Sequence, residues 1–142
     1  MAVPSDLLWE CVRKNNAFIR KSTNARTMSA EPGNLLGVHS GKFSGLTNRA
    51  MGLASAKKGK KEPIVMTLSA VRRSRLMRPK SALPKIGIKR LDGKKGVAQL
   101  ERLLGQKFVR PELLALAKVK YAKIRMSFRK PARAKAAAKK TK

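Results

Sequence analysis

Histidine and cysteine are almost missing from this chain: His39 and Cys11 are the only ones in 142 residues. A lone cysteine rules out an intramolecular disulfide and gives no reason to infer an oxidising compartment. The acids are also few, at positions 6, 10, 31, 62, 92, 101 and 112. With one imidazole and these scattered carboxylates, no zinc-ligand spacing and no nucleophile, base and orienting group can be assembled. No enzymatic activity, metal or other cofactor, or small-molecule substrate is therefore expected. No apolar run approaches the roughly 18 residues of a membrane span, so no membrane partner is expected. Asp6 and Glu10 interrupt the N-terminus where a signal peptide would be basic and then apolar, so none is expected there.

What the chain has instead is positive charge. Lys and Arg number 35 against 7 Asp and Glu, a formal charge of +28, and the isoelectric point is near 11.7. A compact domain with so little internal compensation repels itself, which implies a polyanionic partner, nucleic acid by default. Leu 16, Val 8, Ile 5 and Phe 4 together make 33 residues of 142. That fraction lies only just above the level of about 20% below which highly charged chains stay disordered. The expectation is one small domain over 1–128, with a modest core and basic extensions.

Along the chain, Ser5-Asp6-Leu7-Leu8-Trp9-Glu10-Cys11-Val12-Arg13 reads as a short helix. Ser5 follows Pro4 as N-cap, two acids lie near the positive end of the dipole, and Leu8 and Val12 are one turn apart. Ala17-Phe18-Ile19-Arg20-Lys21 reads as a strand. A loop-like region follows, with Pro32-Gly33-Asn34 as turn chemistry. Gly37, Gly41 and Gly45 punctuate it, and Phe43-Ser44-Gly45-Leu46-Thr47 is expected to be a second short strand. Lys57-Lys58-Gly59-Lys60-Lys61 is a hairpin-like basic connection into Ile64–Ala70, whose alternation sets Ile64, Met66, Leu68 and Ala70 on one face. From 72 to 95 cations crowd around Pro79 and Pro84, which reads as an extended basic arm in which Ile86 and Ile88 can add an edge strand. Val97, Leu100, Leu103 and Leu104 share a helical face that Gly105 ends. Pro111 and Glu112 open a second helix running to about Ser127. Its apolar stripe is Leu113, Leu114, Ala117, Tyr121 and Ile124, edged by Lys118 and Arg125 on one side and Lys120 and Lys123 on the other. Residues 129–142 hold no acid and no large apolar group and read as a basic tail.

A charged run on an ordinary protein is a solvated face. Here the balancing acids are missing, and the cations are spread over loop, arm, helix flanks and tail. One duplex would draw them to one face, so the spread suggests several RNA segments within a ribonucleoprotein. Candidate phosphate partners are Lys57, Lys58, Lys60, Lys61, Arg72, Arg73, Arg75, Arg78, Lys80, Lys118, Arg125, Arg129, Lys130 and Arg133. Of the aromatics, Trp9, Phe18 and Tyr121 lie on apolar faces and read as core, while Phe43 and Phe128 are the better candidates to stack on bases. Cys11 reads as a small buried apolar residue and His39 as a loop residue making a local or phosphate contact. Neither an aromatic RRM signature nor a GxxG clamp is present, and the glycines at 37, 41 and 45 lack the strand and helix of a phosphate loop.

Four words in order carry a resemblance: Leu8-Trp9-Glu10-Cys11-Val12-Arg13 with Phe18-Ile19; Ser29-Ala30-Glu31-Pro32-Gly33-Asn34-Leu35; Lys42-Phe43-Ser44-Gly45-Leu46; and Lys107-Phe108-Val109-Arg110-Pro111-Glu112-Leu113. The chain resembles, from about residue 5 to residue 128, the family of ribosomal protein twenty-eight of the eukaryotic large subunit. It departs from the familiar pattern at Gly33, where asparagine is usual, and through the middle from Ala54 to Leu91. A ribosome-biogenesis family shares the N-terminal words, but its cysteine-rich start and acidic end are unlike this chain. The resemblance implies an α+β domain with a small, mostly antiparallel sheet, a short N-terminal helix and two C-terminal helices. It also implies binding to large-subunit ribosomal RNA beside neighbouring ribosomal proteins, in the cytosolic ribosome after nucleolar assembly, with no catalysis. The competing expectations are a ribosome assembly factor and, from the Ala/Lys/Pro tail, a chromatin or DNA-binding basic protein.

Overall fold

The computed structural model describes residues 3–56, 63–89, 93–105 and 110–128. The order is α1 (Ser5–Arg13), β1 (Ile19–Ser22), β2 (Ala25–Ser29), β3 (Met51–Ser55), β4 (Ile64–Leu68), α2 (Arg73–Leu76), α3 (Pro79–Ala82), β5 (Lys85–Ile88), α4 (Gly93–Gly105), a 3-10 turn (Pro111–Leu113) and α5 (Leu114–Ser127). β1 and β2 form an antiparallel ribbon, and β3, β4 and β5 an antiparallel sheet in that order. This is an α+β fold.

Period-two alternation builds the sheet. The register sets Leu53 opposite Met66 opposite Ile86, and Ile64 opposite Ile88, so these side chains share one face. α4 and α5 cover that face with Leu100, Leu104, Leu113, Ala117 and Tyr121, and Leu35 closes the core from the loop. The expected faces of β4 and of both helices are the buried ones. Among the described residues no further strand pairs with the edge strand β5; instead Gln99 of α4 donates to the Gly87 carbonyl at 3.0 Å and accepts from the Lys89 amide at 3.1 Å. One amide side chain thus satisfies the edge that an open strand would leave unpaired.

Tyr121 ties α5 to the end of β5, its hydroxyl donating to the Lys89 carbonyl at 2.6 Å. Gly96 is what lets α4 approach: a Cβ there would overlap the Tyr121 hydroxyl and the same carbonyl.

The loop 30–50 is held by a buried carboxylate. Glu31 is 6% exposed and accepts from Ser44 Oγ and the Gly45 amide, both at 2.9 Å, and from Asn16 Nδ2 at 3.4 Å. Its neighbours complete the latch: Asn34 accepts from the Gly37 amide at 2.8 Å and donates to the Val38 carbonyl at 3.0 Å. Gly33 turns with φ 86° directly against Ala50, where any side chain would collide. α1 docks on this loop through Trp9, whose ring lies 5.0 Å from that of His39 and packs over Gly41. His39 Nε2 donates to the Arg13 carbonyl at 2.8 Å.

Several expectations are corrected. The N-cap of α1 is Pro4, with no side-chain cap, so Ser5 lies inside the helix. The region after Lys21 is not all loop, because Ala25–Ser29 returns as β2, bridged on its far side by Val38 to Met28. Phe43–Thr47 is a run of turns, since Ser44 and Gly45 turn their donors inward to Glu31. The short strand β3 lies beyond it, pairing residue for residue with β4. The expected arm over 72–95 is broken into α2, α3, β5 and the start of α4. The Ala70 amide donates to the Ala82 carbonyl at 2.8 Å, and Ser81 Oγ lies 3.2 and 3.3 Å from the carbonyls of Arg75 and Arg78, which folds 71–82 into a compact knuckle. Cys11 is exposed, because α1 buries no residue. Phe43 and Phe128 pack against the core instead of standing free. The 57–61 run and the 129–142 tail lie outside the described residues.

Glu31→Ala strands one buried and two part-buried donors and should cost about 2 to 3 kcal/mol in denaturant unfolding, with Glu31→Gln losing less because one acceptor oxygen remains. Tyr121→Phe should cost about 1 kcal/mol in the same measurement, since the Lys89 carbonyl loses its donor while the ring stays packed.

Candidate nucleic-acid interface

Four of the five described acids have a partner within the chain. Glu10 pairs with Arg13 at 3.0 Å, Glu101 with Lys118 at 2.6 Å and Glu112 with Arg110 at 2.8 Å. Glu31 is enclosed by neutral donors, and Asp6 lies in the first turn of α1. Partial burial raises the Glu112 carboxyl, but the Arg110 hydrogen bond, its own backbone amide and the charges of Arg110 and Lys42 outweigh this and leave it below the usual carboxylate range. Arg110 has φ 106°, rare for a residue with a side chain, and donates both to Glu112 and to the Lys42 carbonyl. No group of three or more His, Cys, Asp or Glu able to hold a metal occurs among the described residues. Among those residues, no helix is long and apolar enough to cross a membrane.

The sequence-derived candidates divide into distinct sets. Arg72, Arg75, Arg78 and Lys80 are exposed together on the knuckle, with Arg73 on the same short helix. Lys118 and Arg125 lie on α5 and line a cleft of about 550 Å³ between α4 and α5, with Lys94, Tyr121 and Glu101. Lys118 is committed there to Glu101, an interhelical pair that the pattern of either helix alone does not reveal. Lys57, Lys58, Lys60, Lys61, Arg129, Lys130 and Arg133 lie outside the described residues.

Sequence reasoning missed the ribbon. Arg20 is opposite Met28 in the β1–β2 register, and Arg26 lies two residues before Met28, so both arginines are on one face. Lys21 sits at the irregularity between Arg20 and Ser22, and Lys14 follows α1 just before the ribbon. All four cations are exposed. The signal was present as cations in short polar segments, but no apolar face marked Ala25–Ser29 as a strand. A second basic groove of about 420 Å³ is lined by Lys89, Lys95 and Arg102 with Ala98 and Gln99. Lys120 is different in kind: half-buried, it donates to the Leu35 carbonyl, and burial lowers its pKa. It is a fastener between α5 and the loop.

Exposed cations thus stand on the ribbon, the knuckle and the α4 surface, around a core that holds no cation. The Ribosomal L28e protein family matches residues 7–127, nearly all of the described chain. The chain belongs to the ribosomal L28e family. It is also similar to the large ribosomal subunit protein eL28 of Dictyostelium discoideum, 49% identical over 55 residues. That similarity covers 39% of this chain and 41% of the relative, so the aligned part spans less than half of the relative's length. In this L28e chain each of the four sequence words supplies a structural fastener: Trp9 on His39, Glu31 and Asn34 in the loop latch, Ser44 donating to Glu31, and Arg110 donating to Glu112.

Proposed function

We propose that this L28e chain is a structural constituent of the large (60S) subunit of the cytosolic ribosome, built in during nucleolar assembly, where it binds ribosomal RNA by neutralising phosphates. The observation that carries the reading is the placement of exposed cations on separate elements of a fold whose few described acids compensate only a handful of them. Phosphates attract such cations without regard to sequence, and releasing their counterions supplies the affinity. Neighbouring ribosomal proteins are the other partners, and the reading assigns no catalytic step.

The cations assigned to phosphate are Arg20, Lys21 and Arg26 of the ribbon and Arg78 and Lys80 of the knuckle, with Lys57, Lys58, Lys60, Lys61, Arg129, Lys130 and Arg133 adding charge from outside the described residues. Lys118 contributes less, because its ammonium is already paired with Glu101. The two-stranded ribbon is narrow, cationic on one face and anchored by the loop latch, which suits it to lie along a groove of folded RNA.

Filter binding of the full chain to a large-subunit RNA fragment across a salt series tests this. Each neutralised phosphate contributes about 0.7 to 0.9 to the slope of log K against log salt. Replacing Arg20, Lys21 and Arg26 by Gln should reduce the slope by about 2 to 3 and weaken binding at low salt. A slope near zero in the parent chain overturns the electrostatic reading. An unchanged slope in the triple variant removes the ribbon from the interface.

A further inference from the structure

The knuckle carries a surface that phosphate chemistry does not explain. A groove of about 460 Å³ runs between it and the loop 45–49, lined by Leu46, Val71, Leu76 and Leu83. Val71 is 61% exposed, Leu46 48% and Leu76 47%. A second groove, of about 220 Å³, adjoins it across the shared residues Ser69, Ala70 and Val71. Arginines border both: Arg49 lines the first, and Arg72 and Arg75 the second. Among the described residues no carboxylate pairs with any of these three. Ser69 Oγ, between the two grooves, is buried without a hydrogen-bond partner among those residues.

We propose that this composite groove is a docking site for an acidic amphipathic helix of a protein partner. Contiguous aliphatic side chains left in water mark an interaction surface, because covering them gains about 25 cal/mol for each square ångström removed from water. RNA is the poorer occupant. Phosphates and sugars do not cover aliphatic side chains favourably, and neither groove is lined by an aromatic ring on which a base could stack. A helix with an apolar stripe flanked by Glu or Asp meets both features at once: leucines enter beside Val71 and Leu76, and carboxylates reach the guanidinium groups in bidentate pairs. Arg72 and Arg75, candidates for phosphate on sequence grounds, are thereby assigned to protein, while Arg78 and Lys80, which line neither groove, remain with RNA.

The test uses the full-length chain and three labelled probes: an amphipathic Leu/Glu helix of about 18 residues, a scrambled peptide of the same composition, and a short RNA duplex. Fluorescence anisotropy is read at about 0.3 M salt, where long-range attraction to a highly cationic protein is screened. The amphipathic peptide should bind about tenfold tighter than the scrambled one. The double variant V71S/L76S should erase that preference, and R49Q/R72Q/R75Q should weaken both peptides, with RNA affinity within about twofold of the parent after V71S/L76S. Both variants alter only the exposed rim, and circular dichroism checks that they fold. Equal binding of the two peptides overturns the proposal. A preference that survives V71S/L76S does so as well, and RNA affinity falling in parallel with peptide affinity after V71S/L76S makes RNA the occupant. The RNA arm also separates this proposal from the phosphate reading, since either can fail alone.

Discussion

A chain with 35 cations and 7 acids can fold only by keeping its cations at the water boundary and using its few carboxylates where each does most for the structure. Every element of the fold obeys that constraint. The core lies between one face of the three-stranded sheet, the helices over it and Leu35 of the loop, and its one polar side-chain group among the described residues, the Tyr121 hydroxyl, has a carbonyl to bind. Glu31, the one deeply buried carboxylate among the described residues, is met by neutral donors. The remaining described acids stay at the surface, three of them each beside a single cation. Lys120 shows what happens when a cation is drawn inward: burial disfavours its charge, and it is retained by donating to a backbone carbonyl. An excess that cannot be neutralised internally is available to an external polyanion.

How much of this could be read from the sequence depended on whether an element buries a periodic face. α4, α5 and β4 do, and their apolar stripes marked both their existence and their inward residues. β2 and β3 do not announce themselves: Ala25–Ser29 is mostly exposed and charged, and Met51–Ser55 contains a glycine that packs on Gly33 where a side chain would be expected. The knuckle was hidden for a related reason. Its two helices are four residues each and are set by backbone bonds across 70–82 and by Ser81, while the density of arginine and proline spells an extended chain. The same logic governs the interface. Arg72, Arg75, Arg78 and Lys80 were legible as cations, but Lys118 was paired by a residue on another helix, and the ribbon arginines became a face only through a register that sequence does not show.

The fold therefore separates two kinds of surface. On the ribbon and around Arg78 and Lys80 of the knuckle, cations dominate and the exposed apolar neighbours are single methionines, Met28 and Met77. Around Val71 and Leu76, apolar groups and arginines are interleaved, which is the chemistry of a protein contact. The proposed contact with ribosomal RNA accounts for the first kind. The second suggests that the same small domain also joins RNA to a protein neighbour.

The central claim, that the uncompensated charge exists to be buried in the RNA of the large ribosomal subunit, is tested most directly by sedimentation of the protein in a sucrose gradient of cell lysate, with and without nuclease. The account predicts co-sedimentation with large subunits and with translating ribosomes, lost after RNase and retained after DNase. Recovery only in free or chromatin fractions, or absence from translating particles, would contradict it.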